Sequence, residues 1–111
     1  MFSFFSAKAN KYQDVPADAF YDLSRQPNTV ILDVRSSGEF SSGKIRGVRN
    51  LDITSPGFYN QVANLPKDKT YLVYCRSGNR SGQACDVMAG LGFEKLKNLS
   101  GGIARWPFET V

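Results

Sequence analysis

Apolar residues in this chain come in short bursts separated by amphipathic stretches. Val30-Ile31-Leu32 stops at Asp33, and Tyr71-Leu72-Val73-Tyr74 stops at Cys75. Runs this brief and continuous predict strands covered on both faces, as in a parallel sheet. Weaker strand signals cover Lys11 to Val15, Val48 to Leu51 and Lys97 to Leu99. Between these runs the period becomes helical. Pro16 to Arg25 sets Phe20, Leu23 and Ala19 on one side, with Pro16 suited to the first turn. Phe58 to Leu65 spaces Phe58, Val62 and Leu65 in the same way. Arg80 to Leu91 aligns Ala84, Val87, Met88 and Leu91, and Gly92 follows as a C-terminal cap. Such alternation predicts an α/β fold around a mainly parallel sheet.

Length and composition narrow this picture little. The 111 residues fit a single domain, 1–111, with residues 1–10 expected to form a loosely ordered lead-in. An apolar share of 41% supplies one core, so stability does not require disulfides. Cys75 and Cys85 do not make a secreted disulfide framework. The start, MFSFFSAKANK, lacks a basic n-region and a signal-length apolar run, and no stretch reaches the ~20 apolar residues of a membrane span. The cytoplasm is therefore the expected location, with no membrane partner.

Charge adds one useful constraint. Lys and Arg number 14 against 10 Asp and Glu, a net charge of +4 that suits a basic mouth for anionic substrates. Those basic residues are scattered outside the 76–80 loop, so no nucleic-acid partner is expected.

The candidate chemistry lies in the loop CRSGNRS, Cys75 to Ser81, between a buried strand and an amphipathic helix. Open α/β sheets bind ligands at this kind of junction, the carboxyl end of a strand. A free thiol titrates near ~8.5 and is a weak nucleophile at neutral pH unless that value is lowered. The chain contains no histidine, which excludes a Cys–His dyad. Other activators are at hand. Arg76 and Arg80 flank the loop, Gly78 lets it curl, and the following helix offers unsatisfied N–H donors. Ser77, Asn79 and Ser81 can brace the turn. A curled loop of this type aims backbone N–H groups inward as an anion-binding nest. Two cysteines and no histidine cannot supply the four ligands of a structural zinc, so neither metal nor cofactor is expected.

CRSGNRS, ILDVRSSGEF within Val30 to Phe40, GKIRGVRN from Gly43 to Asn50, and LGFEKLKNLSGGIARW from Leu91 to Trp106 form four ordered segments. Together they resemble the rhodanese family of thiosulfate:cyanide sulfurtransferases. The resemblance implies one rhodanese-like domain, a mainly parallel five-stranded sheet flanked by helices on both faces. It implies that Cys75 attacks a donor's outer sulfur, becomes a persulfide and yields that sulfur to a thiophilic acceptor, cyanide in vitro. Backbone N–H groups from Arg76 to Ser81 would hold the charge, and Arg76 and Arg80 would favour an anionic donor such as thiosulfate. The arginine directly after the cysteine is similar to the thiosulfate-type loop. Asp33 and Arg35 are expected to brace the site by ion pairing, and Trp106 to cover the pocket or cap the core. Lys44 stands where the family often has histidine, and Val48 where it often has alanine.

The same loop is compatible with rival chemistries. A cysteine phosphatase or arsenate reductase on the same fold uses Cys-x5-Arg, whereas only four residues separate Cys75 from Arg80. The shorter loop suits a single sulfur better than a tetrahedral phosphoryl group. A relay that takes sulfur from one protein and hands it to another would keep the same loop, so a protein sulfur acceptor is an alternative partner. Cys85 invites a redox role. It lies five residues beyond Arg80, about 7.5 Å along a helix at ~1.5 Å per residue. A disulfide needs Cα atoms within about 7 Å, so packing is the expected role.

Overall fold

The computed structural model describes residues 11–111, and the lead-in expected at 1–10 lies outside them. Among the described residues, strands β1 (Gln13–Val15), β2 (Thr29–Asp33), β3 (Arg49–Asn50), β4 (Thr70–Tyr74) and β5 (Leu96–Leu99) build one sheet. Their spatial order is β1-β5-β4-β2-β3. Every pairing is parallel. Parallel neighbours need crossovers. These are supplied by α1 (Ala17–Ser24), α2 (Ser37–Ser42), α3 (Phe58–Ala63) and α4 (Asn79–Gly90), and a 3-10 turn at Ile103–Arg105 closes the chain.

β4 is central, with Tyr71 to Tyr74 all buried, as its unbroken apolar run predicts. Side chains alternate across a strand. Tyr71 and Val73 enter the core under α3 and α4, with Val62, Ala84 and Met88. Leu72 and Tyr74 enter the opposite core, with Phe20 of α1 and Leu99. The same parity carries Cys75 into the first core, on the side where α4 begins. A one-residue slip in β4 would turn the sulfur away from that helix.

Element ends follow local chemistry. α4 finishes in a Schellman motif: Phe93 N–H donates to Met88 C=O at 3.1 Å and Gly92 N–H to Ala89 C=O at 3.1 Å. Gly92 takes the left-handed φ of +100° that the motif demands, in keeping with the expected cap. The helix expected over Phe58 to Leu65 stops at Ala63, because Pro66 disfavours helical geometry in the residue before it. Leu65 is still buried through a turn to Val62. β3 is shorter than the expected Val48 to Leu51. The Asn50 side-chain amide donates to Asp33 C=O and Arg35 C=O, each at 2.9 Å, beside the backbone bond from Leu51 N–H to Asp33 C=O at 2.9 Å.

Removing a fully buried side chain costs transfer energy plus a cavity. Leu72→Ala is expected to lower the unfolding free energy by about 3 kcal/mol in urea titrations. The reactivity of Cys75 should stay unchanged, because Leu72 faces the other core.

Candidate active site

Cys75 follows directly on β4 and its side chain is almost wholly buried. The backbone then turns sharply. Gly78, at φ +107°, is the N-cap of α4 in a left-handed conformation that side chains other than glycine rarely adopt. That turn aims Gly78 N–H at Cys75 Sγ, 3.1 Å away. The Ser81 hydroxyl, one turn into α4 and itself buried, donates to the same sulfur at 3.3 Å. Helix N-termini carry free N–H groups and partial positive charge. Here they converge on one sulfur.

The effect on the thiol is a contest. Burial is the largest influence and opposes ionisation. Hydrogen bonds from the Ser81 hydroxyl, then from the N–H groups of Ser81, Gly78 and Ser77, together outweigh it and hold the thiol below its ordinary value. Activation comes mainly from these neutral donors, with the flanking arginines contributing less than the sequence suggests. Cys85 shows the same burial without donors. Its thiol is fully buried and is pushed far up by desolvation. Both cysteines are free, and Cys85 packs in the core beneath α4.

Each of the two loop arginines has a distinct setting. Arg80 donates from Nη1 and Nη2 to both carboxylate oxygens of Glu39, at 2.8 and 3.0 Å. A cation at a helix start is unfavourable without an anion, and the anion is a side chain of the protein itself. Hydrogen bonding from Arg80 is the main reason that the Glu39 pKa falls to about 2, so the pair persists across the range where a thiol titrates. Glu39 also accepts from Ser36 N–H in a capping box that starts α2. Arg76 is exposed, as are Ser77 and Asn79.

Asp33 and Arg35 form a buried pair at the end of β2. Arg35 Nη2 lies 2.6 Å from Asp33 Oδ2, and Arg35 N–H reaches Asp33 Oδ1 at 2.9 Å. Arg35 Nη2 also donates to Gly43 C=O at 2.6 Å, tying the loop after α2 to the sheet. Trp106 packs edge-on to Phe20, with ring centroids 5.7 Å apart, and against Tyr21 and Phe108. It caps the core on the α1 face.

The closing turn fastens the loop from behind. Ile103 N–H donates to Cys75 C=O at 2.9 Å and Ala104 N–H to Arg76 C=O at 3.0 Å. Gly102, at φ +62°, lies so close that a Cβ would fall 2.2 Å from Arg76 O and 2.5 Å from Ser77 N. Only a glycine fits there.

The profile of the rhodanese-like domain family matches residues 16–108. The chain belongs to the rhodanese-like family. It is 32% identical over 106 residues to a thiosulfate sulfurtransferase, GlpE, of Pseudomonas putida, covering 92% of this chain and 94% of that protein. It is 31% identical to a putative mitochondrial thiosulfate sulfurtransferase of Schizosaccharomyces pombe, over 94% of this chain and 84% of the other. A rhodanese-related protein from Thermoplasma volcanium superposes with a TM-score of 0.80 at 29% identity, covering 90% of this chain and 98% of that one.

This rhodanese-like site uses residues that the sequence did not single out. Ser36-x-x-Glu39 reads as a capping box, but nothing local signals that Glu39 also engages Arg80, 41 positions away. Gly101-Gly102 belongs to the closing motif, and its steric reason appears only when the turn meets the loop.

Two substitutions test the cradle. Ser81→Ala is expected to shift the midpoint of Cys75 alkylation to higher pH, and to slow it at pH 7 by roughly tenfold or more, the worth of one hydrogen bond to a charged group. Gly102→Ala is expected to lower stability by about 2 kcal/mol through overpacking, and also to slow alkylation. The readouts are pH-resolved iodoacetamide kinetics and chemical denaturation.

Proposed function

We propose that this protein moves a sulfane sulfur from a small anionic donor such as thiosulfate, through a Cys75 persulfide, to a thiophilic acceptor. The observation that carries the proposal is the Cys75 sulfur held by Gly78 N–H and the Ser81 hydroxyl, with its thiol held below the ordinary range in a chain without histidine. The Pseudomonas putida relative, which is named a thiosulfate sulfurtransferase, supports the same reading.

The chemistry needs no proton relay. The Cys75 thiolate attacks the outer sulfur of thiosulfate, a sulfur–sulfur bond forms, and sulfite leaves with the electron pair of the old bond. The product is a cysteine persulfide anion. Cyanide then attacks the outer sulfur and thiocyanate departs, returning the Cys75 thiolate. The converging donors serve each anionic state in turn, a form of electrostatic preorganisation. Exposed Arg76 supplies positive charge at the mouth, whereas Arg80 is neutralised by Glu39. Donor attraction is therefore assigned to Arg76 ahead of Arg80.

Intact-mass measurement after exposure to thiosulfate tests this directly. The expected result is a gain of one sulfur atom, reversed by cyanide and absent in Cys75→Ser. A folded native protein that gains no sulfur from thiosulfate would overturn the donor assignment.

A further inference from the structure

Asn98 is a polar residue in the body of β5, nearly buried and outside the Cys75 loop. Its Nδ2 donates to Gly78 C=O at 3.2 Å and to Asp14 Oδ1 of β1 at 2.9 Å. Its Oδ1 is buried and has no hydrogen-bond partner among the described residues. Such an amide is costly in a core, and an apolar side chain of the same size would avoid the cost. What the amide adds is its pair of donors, one of them aimed at the residue on which the anion cradle turns.

Gly78 C=O also accepts the first α4 bond, from Gly82 N–H at 3.1 Å. The two bonds use both lone pairs of that carbonyl. Gly82 fixes it relative to the helix, and Asn98 fixes it relative to the sheet. Gly78 is left-handed and has no side chain to wedge it, since its nearest neighbours to a built Cβ are 3.5 Å or more away. Hydrogen bonds must therefore set its orientation, and its N–H is the donor 3.1 Å from Cys75 Sγ.

We propose that Asn98 is a positioning residue for the nucleophile. Anchored on Asp14 at the sheet edge, it holds Gly78 so that the Gly78 N–H stays aimed at the Cys75 sulfur. Asn98 touches neither the sulfur nor a donor, and it acts by lowering the freedom of the cradle. The inference rests on Cys75 being the reactive thiol, and its test involves no sulfur transfer.

The test is the pH profile of Cys75 alkylation by iodoacetamide in Asn98→Leu, read by mass on the peptide ending at Arg76, which separates Cys75 from Cys85. Leucine is neutral and close to asparagine in size, and it removes both donors. The expected profile is displaced to higher pH, with an unchanged plateau and at least threefold slower alkylation at pH 7. Val62→Ala, which creates a cavity where α3 packs on the sheet and removes none of the donors to the sulfur, supplies the control for lost stability and should retain the native profile. Should Asn98→Leu fail to fold, Asn98→Ser is read in its place, with the same displacement expected. Superimposable profiles for native protein and the folded Asn98 variant would overturn the proposal. So would an equal displacement in Val62→Ala. A native protein that fails to load sulfur from thiosulfate leaves this result standing, so the two readings fail separately.

Discussion

The structure depends on directing hydrogen-bond donors at one sulfur that is almost wholly buried. Burial alone drives a thiol the wrong way, as it does for Cys85 in the same core, where desolvation pushes the thiol up. Cys75 escapes that outcome because several N–H groups and one hydroxyl meet at its sulfur. None of those donors carries a full charge. Their strength comes from fixed direction in a low-dielectric place, where reorienting water is not needed to support the anion.

Fixed direction requires supports, and these come from four different parts of the chain. Strand parity in β4 points the sulfur toward the start of α4. Gly78 turns the backbone, and Gly102 allows the closing turn to press against the Arg76–Ser77 peptide. Ile103 and Ala104 tie down the carbonyls of Cys75 and Arg76. The two ion pairs do different work. Asp33–Arg35 is buried and joins the end of β2 to Gly43, while Glu39–Arg80 docks the start of α2 onto the start of α4. A buried pair is weak evidence for stability, and its desolvation is offset only when its remaining hydrogen-bonding groups are satisfied. Arg35 meets that condition through Gly43.

The Glu39–Arg80 pair also alters the electrostatic picture of the loop. Two arginines within five residues look like a doubly positive mouth, yet one is neutralised by a carboxylate from another element. This leaves Arg76 at the surface and makes the local field depend on backbone dipoles more than on formal charge.

By itself the sequence determined the alternation of strands and helices, the strand run ending at Cys75, the cap at Gly92 and the lack of an imidazole base. Those features are local: a buried parallel strand needs a continuous apolar run, a Schellman cap needs a left-handed residue, and composition excludes a histidine outright. The resemblance of four ordered segments supplied the family. Only the tertiary structure decided that Arg80 is paired with Glu39, that Gly102 must lack a side chain, and that Asn98 reaches Gly78. Each of these contacts joins residues 20 or more positions apart, and no local propensity encodes which carboxylate or carbonyl a side chain will meet. The converging donors around the sulfur lie between these cases. The loop CRSGNRS announced them, but their direction was set by the parity of β4 and the turn that closes over it.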